Sequence, residues 1–203
     1  MLKSDATYWN NRWLNGETQW DMGHASPPLT AFIDTLTDKN ARILIPGCGN
    51  AYEAEYLFRN GFTNVFVVDF AAKALEDFAM RVPEFPKAHL LCSDFFLLDT
   101  EPFDVIIEQT FFCAIDPGMR QRYAEKMFAL LKPGGTLAGL LFNDPQLGFE
   151  QPPYGGNAEE YRAIFSPYFT FDQFEPAVHS IAPRAGRELF FRFTRRPTVQ
   201  KDA

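Results

Sequence analysis

Apolar positions along this chain follow two spacings in alternation. Short runs that are apolar throughout or at every second residue, such as "RILIPG" and "NVFVVDF", are separated by stretches where apolar residues recur every three or four positions. The pattern predicts strands near 42–47, 64–69, 88–93, 103–108 and 136–142, and helices near 51–60, 71–81, 118–131 and 158–166. Strand–helix alternation of this kind implies an α/β fold with a mostly parallel sheet covered on both faces. The helix over 118–131 is strongly punctuated: Asp116 is expected to cap it, Pro117 suits its first position and Pro133-Gly134-Gly135 is expected to end it. Two late apolar runs, "YFTFDQFEP" and "RELFFRFTRR", are joined by a connection too short for a parallel crossover, so they are expected to pair antiparallel. The segment "DPQLGFEQPPYGGN" is too long and too rich in Pro and Gly for an ordinary connector and reads as a lid. No repeat or linker divides the chain, so residues 1–203 are expected to form one domain.

The first strand-to-helix passage carries the candidate chemistry. Gly47 and Gly49 lie between strand and helix, and Asp69 ends the next strand, the usual arrangement for holding adenosine in an open α/β sheet. The same residues also suit purely local work, since glycines mark tight turns and aspartates cap helices. A dinucleotide pyrophosphate favours a third glycine at the position that Tyr52 occupies here, which weighs against a nicotinamide cofactor. S-adenosylmethionine has no phosphate and tolerates a bulkier turn, while its ribose hydroxyls still want a carboxylate. Asp69 is placed for that role, and Asp94, beside Phe95 at the end of the third strand, is placed for the adenine edge.

Composition narrows the field. At 203 residues, with 46% hydrophobic residues, the chain can bury a full core. A net charge of −7 argues against a groove for nucleic acid, which needs clustered Lys and Arg. The N-terminal "MLKSDATYWNNRW" lacks the apolar region of a signal peptide and no run is long enough to span a bilayer, so a soluble, cytoplasmic protein, monomeric and without membrane partners, is expected. Cys48, Cys92 and Cys113 are odd in number and widely spaced, which suits reduced thiols, and the scattered His24, His89 and His179 assign no metal. All three tryptophans, Trp9, Trp13 and Trp20, fall in the first 30 residues. They suit either a hydrophobic plug on the sheet or an aromatic cage for a sulfonium cation.

The stretches "YWNNRWLNGETQWDMGHASPPL", "LIPGCG", "VVDF", "FFCAIDPGMRQRYAEKMFALLKPGG", "PPYGG" and "IAPRAGRE" together resemble the thiopurine methyltransferase family, and within it most closely the thiol and halide branch. The resemblance runs from about Tyr8 to Arg195. It implies a class I S-adenosyl-L-methionine-dependent methyltransferase with a doubly wound, seven-stranded, mostly parallel sheet whose last strand is antiparallel, and an N-terminal aromatic lid over residues 1–30. Carried over, the cofactor contacts fall on Trp9, Trp13, Trp20, Gly47, Asp69, Asp94, Phe95 and Gln109, and Gly49 joins them on backbone grounds. Gln109 departs from the branch, which has an aromatic residue there. Arg120 matches an arginine close to the reaction site, with Tyr154 and Phe112 expected to narrow and dry the acceptor pocket and Arg184 as a second candidate for the charge. The acceptor implied is a small soft nucleophile: a thiol, hydrosulfide, thiocyanate, a halide or a thiopurine. A nicotinamide-dependent oxidoreductase and a noncatalytic nucleotide-binding module remain the alternatives.

Overall fold

Val, Ile and Leu crowd the segments that become the inner strands, and in the computed structural model, which describes residues 6–148 and 150–199, those strands are buried on both faces. The first five residues of the expected lid segment, and Phe149 of the proline-rich loop, lie outside the described residues. Along β1 (Ile43–Pro46) the side chains alternate, as the pleat requires. Ile43 and Ile45 join one core with α2 (Pro27–Ile33), α3 (Tyr52–Arg59) and α4 (Ala72–Arg81). Leu44 joins a second core, on the opposite face, with α5 (Arg120–Leu130) and α6 (Ala158–Phe165). These two layers make the sheet doubly wound.

Among the described residues the sheet has seven strands in the order β3-β2-β1-β4-β5-β7-β6. The remaining strands are β2 (Val65–Asp69), β3 (Leu90–Cys92), β4 (Phe103–Gln109), β5 (Leu131–Phe142), β6 (Phe169–Pro176) and β7 (Glu188–Arg195). β1 to β5 pair in parallel, and β7 runs antiparallel to both β5 and β6, as expected from the short β6–β7 connection. Strand order reverses at β1 and β4, and the crevice beyond their carboxyl ends is where open sheets of this kind hold ligands.

Two boundaries differ from expectation. Pro133-Gly134-Gly135 does not end a helix: α5 stops at Leu130, and the register of β4 on β5 jumps from Phe103–Leu131 to Val105–Thr136, so the triplet forms a bulge inside β5. Proline cannot donate to a ladder and Gly134 takes φ +77°, which explains why the strand bulges there. Asp116 does cap, but through Gly118 N of a 3₁₀ turn, Pro117–Met119, that leads into α5. The N-terminal aromatic segment forms α1 (Ala6–Leu14), which has no fully buried residue and lies against α4.

Candidate active site

β1 leaves the sheet into a turn that is left-handed at Gly47 (φ +56°), Gly49 (φ +49°) and Ala51 (φ +52°) before α3 begins. Asp69, at the end of β2, seats this turn: Oδ2 accepts from Gly49 N at 3.0 Å and Oδ1 accepts from Ala71 N at 2.9 Å. Burial pushes the Asp69 carboxyl above its ordinary pKa although these N–H groups pull the other way. The local and the ligand-binding readings of Asp69 are compatible, because a carboxylate has about four lone-pair sites and two are engaged here. Gly47 is required for packing: the Phe111 ring fills the space a Cβ would occupy. At Gly49 a Cβ would lie 3.1 Å from the indole of Trp13.

Beyond these strand ends opens a cavity of about 510 Å³, ample for a nucleoside-sized ligand. Trp9, Trp13 and Trp20 stand on one side, Gly47, Gly49 and Asp69 at the sheet, and Asp94 and Phe95 at the far edge. The indoles meet edge to face, Trp9 to Trp20 at 5.3 Å and Trp13 to Trp20 at 6.0 Å between centroids, with the Arg12 guanidinium 5.1 Å from Trp20. They are half-buried and line the cavity, so they form one of its walls and do not fill a core. Asp94 lies two residues past the end of β3, where Oδ1 caps the following turn by accepting from Phe96 N at 2.8 Å.

Gln109 does not line this cavity. It faces a smaller chamber of about 60 Å³ behind the glycine turn, shared with Cys48, Glu53 and Ile45. Its Oε1 accepts from Thr110 Oγ1 at 2.7 Å, and Nε2 is buried with no hydrogen-bond partner. The chain reverses at Thr110, which adopts φ +58°, and this turn sends Thr110 and Phe111, not Gln109, into the main cavity.

Nor do Arg120, Tyr154 and Phe112 reach it. The Arg120 side chain is buried, with Nη1 2.5 Å from Glu160 Oε1 and Nη2 donating to Gly155 O at 2.7 Å and more weakly to Tyr154 O at 3.4 Å. Its guanidinium carbon sits 4.8 Å from the Phe112 centroid. Tyr154 N donates to Cys113 O at 2.6 Å, and Phe112 is core, packed on Tyr123, Tyr161 and Phe165. The three residues expected at the reaction site form a buttress behind its wall, because Nη1 and Nη2 of the arginine are held by Glu160 and loop carbonyls, while Nε is buried without a hydrogen-bond partner. Of the cationic residues that line the cavity, Arg12 belongs to α1 and two more come from the other end of the chain. Arg184 lines it while donating to Trp20 O at 2.8 Å and facing Glu188 at 3.5 Å, and Arg187 lines it while holding Asp144 at 2.7 Å. Arg184 is the second candidate that the sequence offered for this charge; Arg187 was not anticipated, and its only trace is the spacing in "PRAGRE", two arginines three apart ahead of the last strand. Cys113 also lines the cavity, and burial pushes its thiol pKa up, which disfavours the thiolate.

A carboxylate with room for ribose hydroxyls, an apolar wall of Phe95 and Phe111 for a flat base, and three indoles for a cation fit S-adenosylmethionine. Residues 4–192 match the family model described as thiopurine S-methyltransferase. A probable thiol methyltransferase 2 of Arabidopsis thaliana is 33% identical over 98% of this chain and 89% of that protein. Thiocyanate methyltransferase 1 of Brassica oleracea is 34% identical over 91% of this chain and 83% of that protein. Among solved structures, 1,6-didemethyltoxoflavin-N1-methyltransferase of Burkholderia thailandensis, with 1,6-didemethyltoxoflavin and S-adenosylhomocysteine bound, superposes with a TM-score of 0.77 at 18% identity, covering 94% of this chain and 87% of that one. The fold of this last protein, the motifs and the two plant relatives agree, and the chain belongs to the thiopurine S-methyltransferase family, as a methyltransferase.

Proposed function

We propose that the protein transfers a methyl group from S-adenosylmethionine to a small, soft, anionic nucleophile, a thiolate, hydrosulfide or thiocyanate above all. The observation that carries the reading is the buried Arg184, which lines the cavity together with Phe142, Ile115, Met119, Leu147 and Pro152, with the exposed Arg187 three residues on; the other charged lining residues are Arg12, Asp69, Asp94 and Asp116. A buried guanidinium among apolar walls favours the ionised form of a thiol and excludes water from it. The names of the two plant relatives, a thiol and a thiocyanate methyltransferase, support the same acceptor class.

When bound, the cofactor supplies a methyl group on a sulfonium centre. Asp69 would accept from the ribose hydroxyls, Phe95 and Phe111 would form an apolar wall for the base, and the indoles of Trp9, Trp13 and Trp20 would face the cation. Arg184 is fixed at Trp20 O and by Glu188, so it orients the acceptor without collapsing onto it. An acceptor that arrives as an anion needs no general base, and the protein contributes positioning and desolvation. The free thiols Cys48, Cys92 and Cys113 support a reducing, cytoplasmic setting.

The test is a panel of acceptors with labelled cofactor: hydrosulfide, thiocyanate, iodide and a thiophenol against catechol and amines. Turnover of the anions, with Arg184→Met losing about tenfold or more in kcat/KM on them, is expected. Turnover confined to catechols or amines sinks the proposal. Tight cofactor binding without turnover of any acceptor would instead support a noncatalytic module.

A further inference from the structure

Beneath the cavity wall lies a carboxyl that the reaction above does not use. Glu108, the second-last residue of β4, is fully buried. One oxygen, Oε1, accepts from both Phe111 N and Phe112 N at 2.7 Å, while Oε2 has no hydrogen-bond partner. Glu188 of β7, Cys113 of the following turn, Tyr123 of α5 and Tyr161 of α6 face it. Across the ladder its partner is Gly139, where any Cβ would run into Glu108 itself. An apolar side chain would fill this space without the penalty of burying a carboxyl, and would leave two backbone N–H groups unpaired.

What those N–H groups hold is the wall. Thr110 turns the chain through a left-handed conformation that a β-branched residue rarely adopts, so the turn is held by its surroundings. Immediately after it, the Phe111 ring lies on Gly47 and meets Phe95 edge to face at 5.2 Å. One ring thereby closes the gap between the glycine turn after β1 and the turn after β3. We propose that Glu108 is a positioning residue of the cofactor site: through two backbone N–H groups it holds Phe111 against Gly47 and Phe95 and so fixes the wall of the cavity between the glycine turn and the turn after β3.

Calorimetric titration of the purified protein with S-adenosylhomocysteine tests this. Glu108→Met, which fills the space but lacks the acceptor, is expected to bind about tenfold or more weakly, whereas Glu108→Gln, whose amide oxygen can take the same two N–H groups, is expected to stay within about threefold of wild type. Phe111→Ala is expected to reproduce the loss, and adding Glu108→Met to it to cost little more, because both changes act on the same ring. Wild-type affinity in Glu108→Met, a Glu108→Gln protein as weak as Glu108→Met, or losses that add with Phe111→Ala would each overturn the proposal. Should Glu108→Met not fold, amide hydrogen exchange of the wild type decides. Slow exchange at Phe111 and Phe112, slower still with S-adenosylhomocysteine, is expected, and fast exchange at both overturns the assignment.

Discussion

Glu108 also makes folding stability depend on pH. Its folded pKa is about 7 against an ordinary 4.5, chiefly because burial disfavours the carboxylate, with the bonds from Phe112 N and Phe111 N opposing the shift. The folded state therefore holds its proton longer than the unfolded chain does. Below the unfolded value both states are neutral and stability is full. As pH rises through 4.5 the unfolded chain ionises first and is favoured, and the loss levels off once the folded group ionises near 7. Integrated, the destabilisation is roughly 0.8 kcal/mol at pH 5 and roughly 3.3 kcal/mol at pH 8, a fall of about 2.5 kcal/mol. Glu108→Gln cannot ionise, so its stability lacks this component whatever constant offset the amide brings. Chemical denaturation of both proteins at the two pH values is the assay. The gap between variant and wild type should widen by about 2.5 kcal/mol from pH 5 to pH 8, or by about 5–10 °C in melting temperature for a chain of this size. Glu53 and Asp69, whose carboxyls burial also raises, titrate alike in both proteins and cancel. A gap that does not change with pH refutes the reasoning.

Two further substitutions separate roles at the site. Gly47→Ala places a side chain at φ +56° where the Phe111 ring already lies, so the conformational strain of about 1–2 kcal/mol and a displaced ring should lower both melting temperature and S-adenosylhomocysteine affinity; an unchanged melt rules out the packing described. Arg120→Met should depress turnover of anionic and neutral acceptors by similar factors, through a loosened loop at Tyr154 and Gly155; a loss confined to anions would return Arg120 to the reaction site.

The elements were legible wherever burial imposes a period. β1, β2 and β4 read directly as apolar runs, and α3 and α4 agree with expectation within a residue or two, because one face or both must be apolar. Gly47, Gly49 and Asp69 were legible for a different reason: a left-handed turn and a carboxylate at a strand end are constraints on residue type. The wall expected to face the acceptor was legible only in part, since Arg184 lines the cavity but Arg120, Tyr154 and Phe112, placed ahead of it, do not. A matched motif fixes a position along the chain but not what a side chain reaches, and of the neighbours Phe111 and Phe112, which share one core, only Phe111 also lines the cavity. Arg120 is long enough to serve either the cavity or the loop. The carbonyls that capture it belong to Tyr154 and Gly155, more than thirty residues away, and every residue has such a carbonyl, so no pattern marks them. Pro133-Gly134-Gly135 misled similarly, since the same residues that stop a helix also make a bulge.

The hydrogen bond from Arg184 to the carbonyl of Trp20 joins positions 164 residues apart. Its consequence is that the aromatic cover and a charged wall share one support. The aromatic helix α1 buries no residue completely, so the segment following it is tied to the body by polar contacts such as this one, which ends on a guanidinium that lines the cavity. A change at Arg184 therefore reaches two walls at once, the charge that lies 5.7 Å from the Phe142 ring and the tryptophan segment across from it.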